Sequence, residues 1–185
     1  MSSRSRYVGG DTNKVAYKPN PLYPFEKGDL LFLHTDGMLR PASALNAEGT
    51  AALDQLGFAK HFVGVADEKY GAQSGETLFH LNGLLSPQVS VCQSGRFEFP
   101  CDAQTLTLAP VPMGIYSDGA GIDDSQKVDT LQGAAALAQS IGVLHVTEGL
   151  INAAGVATRC VVDIMARKAW ETTDVAGDYT GTSGQ

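Results

Sequence analysis

Four histidines, three cysteines and twenty carboxylates are the side chains of this 185-residue chain that could support acid–base, nucleophilic or metal chemistry. The histidines, His34, His61, His80 and His145, are scattered, and no HExxH or paired-His spacing places two of them on one helix face for a metal. Cys92, Cys101 and Cys160 show no CxxC spacing, and an odd number cannot pair completely; a reducing compartment is the simplest setting. Cys101 lies between Pro100 and Asp102, with no adjacent base to lower its pKa, and Cys160 falls on the apolar face of a strand, where packing is its role. No GxSxG elbow, GxxxxGK[ST] loop or GxGxxG turn is present. The Gly-rich loop from Asp118 to Asp124 carries three carboxylates that could reach a Ca²⁺ ion, but the spacing is not that of an EF-hand, and a solvated turn is the expectation. Glu26, Asp29 and Asp36 read as turn residues. The chain is therefore expected to have no catalytic residues, no cofactor and no metal.

What remains is chemistry of contact. Residues 1–24 hold Arg4, Arg6, Lys14 and Lys18 against Asp11 alone, a charge of +3, so the rest of the chain carries −10 of the net −7. Pro19, Pro21 and Pro24 forbid a helix and favour an extended path. Tyr7, Tyr17 and Tyr23 supply contact area at low entropic cost. These features predict an extended N-terminal arm that orders on a partner through Arg4, Arg6, Tyr7, Lys14, Tyr17, Lys18 and Tyr23. Such an arm is expected to be mobile in the isolated chain, and deleting residues 2–20 is expected to leave folding intact. The acidic remainder opposes direct nucleic-acid binding. No apolar run approaches a membrane span, and the first residues lack the apolar core of a secretory signal.

The elements that must carry this arm read as strands. Hydrophobic residues make up 43% of the chain and charged residues 18%, an ordinary globular balance, and 21 glycines suit short strands joined by turns. Lys27-Gly28-Asp29 is a turn, and Leu30-Leu31-Phe32-Leu33 is a strand covered on both faces. A short helical insertion is expected near residues 50–60, followed by the strand Phe62–Ala66. Val89 and Val91, then Ser94-Gly95, then Phe97 and Phe99 spell a hairpin with both phenylalanines inward. Leu106 and Leu108 extend the pattern, residues 133–139 could form a helical turn, and Ile141–Leu144 and Arg159–Ile164 are further strands. In the last of these Cys160, Val162 and Ile164 share one face. Val63-Gly64-Val65, Met113-Gly114-Ile115 and Ile141-Gly142-Val143 each set a glycine between apolar strand residues, the mark of a bend or a close backbone approach. The fold expected is mainly β: a small curved β-barrel or sandwich over residues 25–170, with the arm before it and a flexible C-terminal tail over 171–185.

Taken in order, Gly28-Asp29-Leu30, Val63-Gly64-Val65-Ala66, Gly95-Arg96-Phe97-Glu98-Phe99, Met113-Gly114-Ile115-Tyr116, Ile141-Gly142-Val143 and Arg159–Ile164 resemble an uncharacterised family of small β-rich head proteins of tailed bacteriophages. That family is associated with capsid decoration, or cement. The similarity spans roughly residues 25–166; the departures are an insertion near 43–60, a longer segment at 67–88 and the arm. The resemblance implies a non-enzymatic protein that binds the outer surface of the assembled major capsid protein lattice and stabilises it. It further implies a homo-oligomer, such as a trimer at a local symmetry axis, folded in the host cytoplasm and then carried on the virion exterior, with no membrane partner. The alternative from the residues alone is a β-barrel that binds or transforms a small molecule.

Overall fold

The computed structural model describes residues 4–71, 88–104, 111–131, 140–146 and 157–166. In chain order its strands are β1 (Arg6–Gly9), β2 (Lys14–Tyr17), β3 (Leu30–Leu33), β4 (Leu39–Pro41), β5 (Phe62–Ala66), β6 (Val89–Cys92), β7 (Ser94–Gln104), β8 (Pro112–Ile115), β9 (Val128–Thr130), β10 (Gly142–Val146) and β11 (Ala157–Met165). A helix, α1 (Ala51–His61), lies between β4 and β5. The fold is thus mainly β with a helical insertion, as the residue pattern predicts. The expectations for Leu106 and Leu108, for residues 133–139 and for the tail fall outside the described residues.

Five strands close on themselves in the order β7-β11-β10-β8-β9, and a parallel pairing of Cys101 with Val128 joins β9 back to β7. The ring is a small barrel filled by alternate side chains: Phe97, Phe99 and Cys101 from β7, Met113 and Ile115 from β8, and Cys160, Val162 and Ile164 from β11. Alternation explains the filling, because period-2 apolar residues on each strand point to one side. The second sheet runs β2-β6-β5-β3-β4. Leu30 and Phe32 face the same core as the barrel, whereas Leu31 packs on the opposite face with Phe25, Leu39, Val63 and Val91. Four consecutive apolar residues therefore have cover on both sides.

The segment 89–99 is not a hairpin. β6 pairs with β2 and β5 of the second sheet, and β7 pairs with β1 and β11 of the first. The chain continues through Gln93 from one sheet into the other without reversing. Gly95 sits at φ +123°, a conformation that bends the strand and that side chains with a Cβ rarely adopt. A strand that changes sheets at a bend is a recurrent way to make the corner between two sheets. Pairing with β11 over eight residues outweighs the local turn signal of Ser94-Gly95.

The three apolar-Gly-apolar points are places of close approach. A Cβ on Gly64, at φ +140°, would overlap the Cys92 carbonyl oxygen; one on Gly142 would overlap the Asp163 carbonyl oxygen; one on Gly114 would press on the Gln55 amide. Helix α1 explains the last. Thr50 caps it by accepting from Leu53 N, and its buried residues are Asp54, Gln55, Phe58 and Ala59, spaced as one helical stripe. Gln55 Nε2 donates to the Ile115 and Thr130 carbonyl oxygens at 3.0 and 3.2 Å, pinning the helix across β8 and β9. Phe58 packs edge-on against Phe32 and at a tilt against Phe62, with ring centroids 6.1 and 5.5 Å apart.

Candidate functional site

The arm is part of the body. β1 and β2 together run antiparallel to the β6–β7 crossing strand: Arg6 opposes Glu98, Tyr7 opposes Phe97, Lys14 opposes Cys92 and Tyr17 opposes Val89. Asn13 bridges the gap, its N–H donating to Ser94 Oγ and its carbonyl accepting from Gln93 N. Beyond β2 the arm reaches the far edge of the second sheet, where Leu39 N donates to the Lys18 carbonyl at 2.9 Å and Asn20 N donates to the Leu39 carbonyl at 3.0 Å. Residues 14–20 thus wrap that sheet from β6 to β4. The extended path follows from the prolines, but the expectation of a free, mobile arm is corrected. Lys14-Val15-Ala16-Tyr17 alternates in and out as a strand does, and Pro19 and Asn20 are buried.

The opposite charges of arm and body meet within one chain. Arg6 pairs with Glu98 at 2.6 Å, and Arg159 also pairs with Glu98. Lys14 and Lys27 share Asp67 at 2.7 and 3.7 Å. Arg159 Nη2 donates to the Arg4 carbonyl, and the Tyr7 ring packs edge-on against Phe97 at 5.4 Å. Gln93 Nε2 donates to Tyr17 Oη, and the Arg40 guanidinium lies 4.7 Å from the Tyr23 ring centre. Of the seven residues assigned to partner contact, Lys18 has an exposed side chain and, among the described residues, its backbone carbonyl engaged, while Arg4, Arg6, Tyr7 and Lys14 remain substantially exposed. The partners Lys27, Asp67, Glu98 and Arg159 were not among those seven. Strand alternation carried a signal for Glu98 and Arg159, because both lie opposite the inward-facing Phe and Cys residues.

Where arm and crossing strand meet, a cavity of about 150 Å³ opens. Tyr7, Phe97, Ala66 and Cys92 form its apolar part, and Arg6, Lys14, Lys27 and Asp67 line it with charge. Burial pushes the Cys92 thiol up, so at neutral pH it is a protonated packing group and a poor nucleophile. Cys160, inside the barrel, is pushed up by its hydrogen bond with the Cys101 thiol and by burial. Among the described residues no three His, Cys, Asp or Glu side chains group as a metal site would require. In the acidic loop, Asp118 Oδ1 accepts from Ala120 N and Asp124 Oδ1 accepts from Gln126 N, so both carboxylates close local turns. Also among the described residues, no helix is long and apolar enough to cross a membrane.

The seam has a pH signature. Burial raises the Glu98 carboxyl, but hydrogen bonds and charge from Arg159 and Arg6 outweigh it and hold the group below its ordinary value of 4.5. The Lys14 hydrogen bond likewise lowers Asp67. For a depressed acid the unfolded chain binds the proton first, so its stabilisation is complete above the unfolded value and is lost as pH falls through the folded one. Asp29 runs the other way, because burial raises it and the folded chain takes up its proton first. The expected result is a thermal midpoint that falls between about pH 5 and pH 3, with a shallower fall in Glu98→Gln. Parallel acid limbs for the two proteins would show that the Glu98 pairs carry no share of it.

Compared with protein families, with curated proteins and with solved structures, the chain matches none.

Proposed function

We propose that this protein decorates the outside of a bacteriophage capsid, binding the assembled major capsid protein lattice and stabilising it. The observation that carries the reading is the outward face of the arm. Among the described residues β1 is the terminal strand of its sheet, and it presents half-exposed Tyr7 and Val8 next to Arg4 and Arg6 on a body of opposite net charge. A terminal strand offers backbone donors and acceptors for an added strand, and flanking side chains give specificity. Large exposed apolar side chains on such an edge suit contact better than solvation. Three copies about a local symmetry axis would set three such strands on the lattice and gain avidity. The seam cavity, at about 150 Å³, is well below the ~300–1,000 Å³ of typical ligand pockets and does not itself support the small-molecule alternative.

The mechanism is linkage. A protein that binds assembled shell and not free subunits stabilises assembly by about 2.7 kcal/mol per site when its concentration is 100 times Kd. Purified shells with the protein added are expected to melt at higher temperature than bare shells and to show it as an external density in cryo-EM. Equal melting of bare and saturated shells would remove the stabilising role.

A further inference from the structure

We propose that the seam cavity is the docking site for a single aromatic or branched aliphatic side chain carried on an acidic segment of the partner surface, a proposal that rests on the decoration reading above. Size comes first. A void of about 150 Å³ is large enough to take one benzene ring. Its apolar lining residues Phe97, Ala66 and Cys92 are nearly inaccessible to solvent, and Tyr7, which also lines it, is half-exposed. A ring or branched chain entering there removes apolar surface from water on both partners.

Charge sets the second requirement. Each carboxylate at the seam serves two cations: Asp67 takes Lys14 and Lys27, and Glu98 takes Arg6 and Arg159. Four cations against two carboxylates leave an excess of two positive charges, in a chain whose net charge is −7. The Lys14 and Lys27 side chains are 50% and 71% exposed, so they can turn to a partner's carboxylates without uncovering the core. A basic segment would meet like charge at the rim, and a neutral one would leave the excess uncompensated.

The test uses the full chain and a fluorescent peptide of alternating Asp and Glu around one central Phe, with a second peptide carrying Ala at the centre. Binding is read by anisotropy at low ionic strength. Thr12 lines the cavity, and Thr12→Phe fills it; Lys14→Glu with Lys27→Glu reverses the rim. The expected result is saturable binding of the Phe peptide, with a loss of about tenfold or more in each variant and for the Ala peptide. If Thr12→Phe does not fold, the exposed double lysine variant decides alone. Absence of binding, equal affinity for the two peptides, or indifference to the variants would overturn the site. Shells that bind the native and plugged proteins equally would also overturn it while leaving decoration standing. Peptide binding by a protein that ignores shells would uphold the site and remove the capsid as its partner.

Discussion

A chain lacking residues 2–20 is expected to lose its cooperative unfolding transition. The deletion removes β1 from β7, β2 from β6, and the backbone bonds that fasten Lys18 and Asn20 to Leu39. It also uncovers Phe97, on which Tyr7 packs, Val91, which lies opposite Val15, and Leu39. Full exposure of three such side chains would cost about 1.5–3 kcal/mol each. A domain of this size is stable by about 5–15 kcal/mol, so the loss is comparable with the whole. The bared edge of β6 would carry Val89 and Val91 with unpaired backbone groups, a template for aggregation. Circular dichroism on heating should show a broad, non-cooperative change, and the truncated chain should bind a hydrophobic dye at room temperature. A cooperative melt within a few degrees of the full chain would show that the arm is dispensable to the fold.

That outcome is the reverse of what the residues of the arm suggest when read alone, and the reason is physical. The composition of residues 1–24 states correctly that the segment is extended, basic and rich in contact groups. It does not say where the complementary surface lies. Glu98 and Asp67 are far off in the chain, and only the closed topology brings them to Arg6 and Lys14. Strands β7 and β11 of the barrel were legible because their alternation is local: Phe97 and Phe99, or Cys160, Val162 and Ile164, need no distant information to be assigned to one face, whereas the three-residue β9 that closes the ring carries no such pattern. Leu30–Leu33 was legible from an equally local pattern, four consecutive apolar residues. The segment 89–99 was not, since a hairpin and a strand that changes sheets share the pattern of alternation, Ser-Gly, alternation. The choice between them is made by β11 and by the arm. The seam cavity had no signal at all, because its walls come from four separate stretches of chain.

Phe99→Ala should cost about 3–5 kcal/mol, and Phe97→Ala at least about 1 kcal/mol less, although the two rings are neighbours on one face of β7. Phe99 is inaccessible to solvent and lies among barrel side chains, opposite Cys160 on β11. Truncation there opens a closed void in a ring of hydrogen-bonded strands, which has little freedom to collapse, so both the lost transfer energy and the cavity count against the fold. Phe97 is equally apolar but lines the existing cavity beneath Tyr7. Space opened there joins the seam, where the Tyr7 side chain can settle inward and water can enter beside Lys14 and Arg6. The measurement is urea unfolding, with shifts in midpoint at unchanged slope. Phe99→Leu, which keeps most of the volume, should lose less than about 1.5 kcal/mol. An equal cost at the two positions would mean that the seam is as tightly packed as the barrel interior. In that case the cavity could not admit an anchor side chain without first displacing Tyr7.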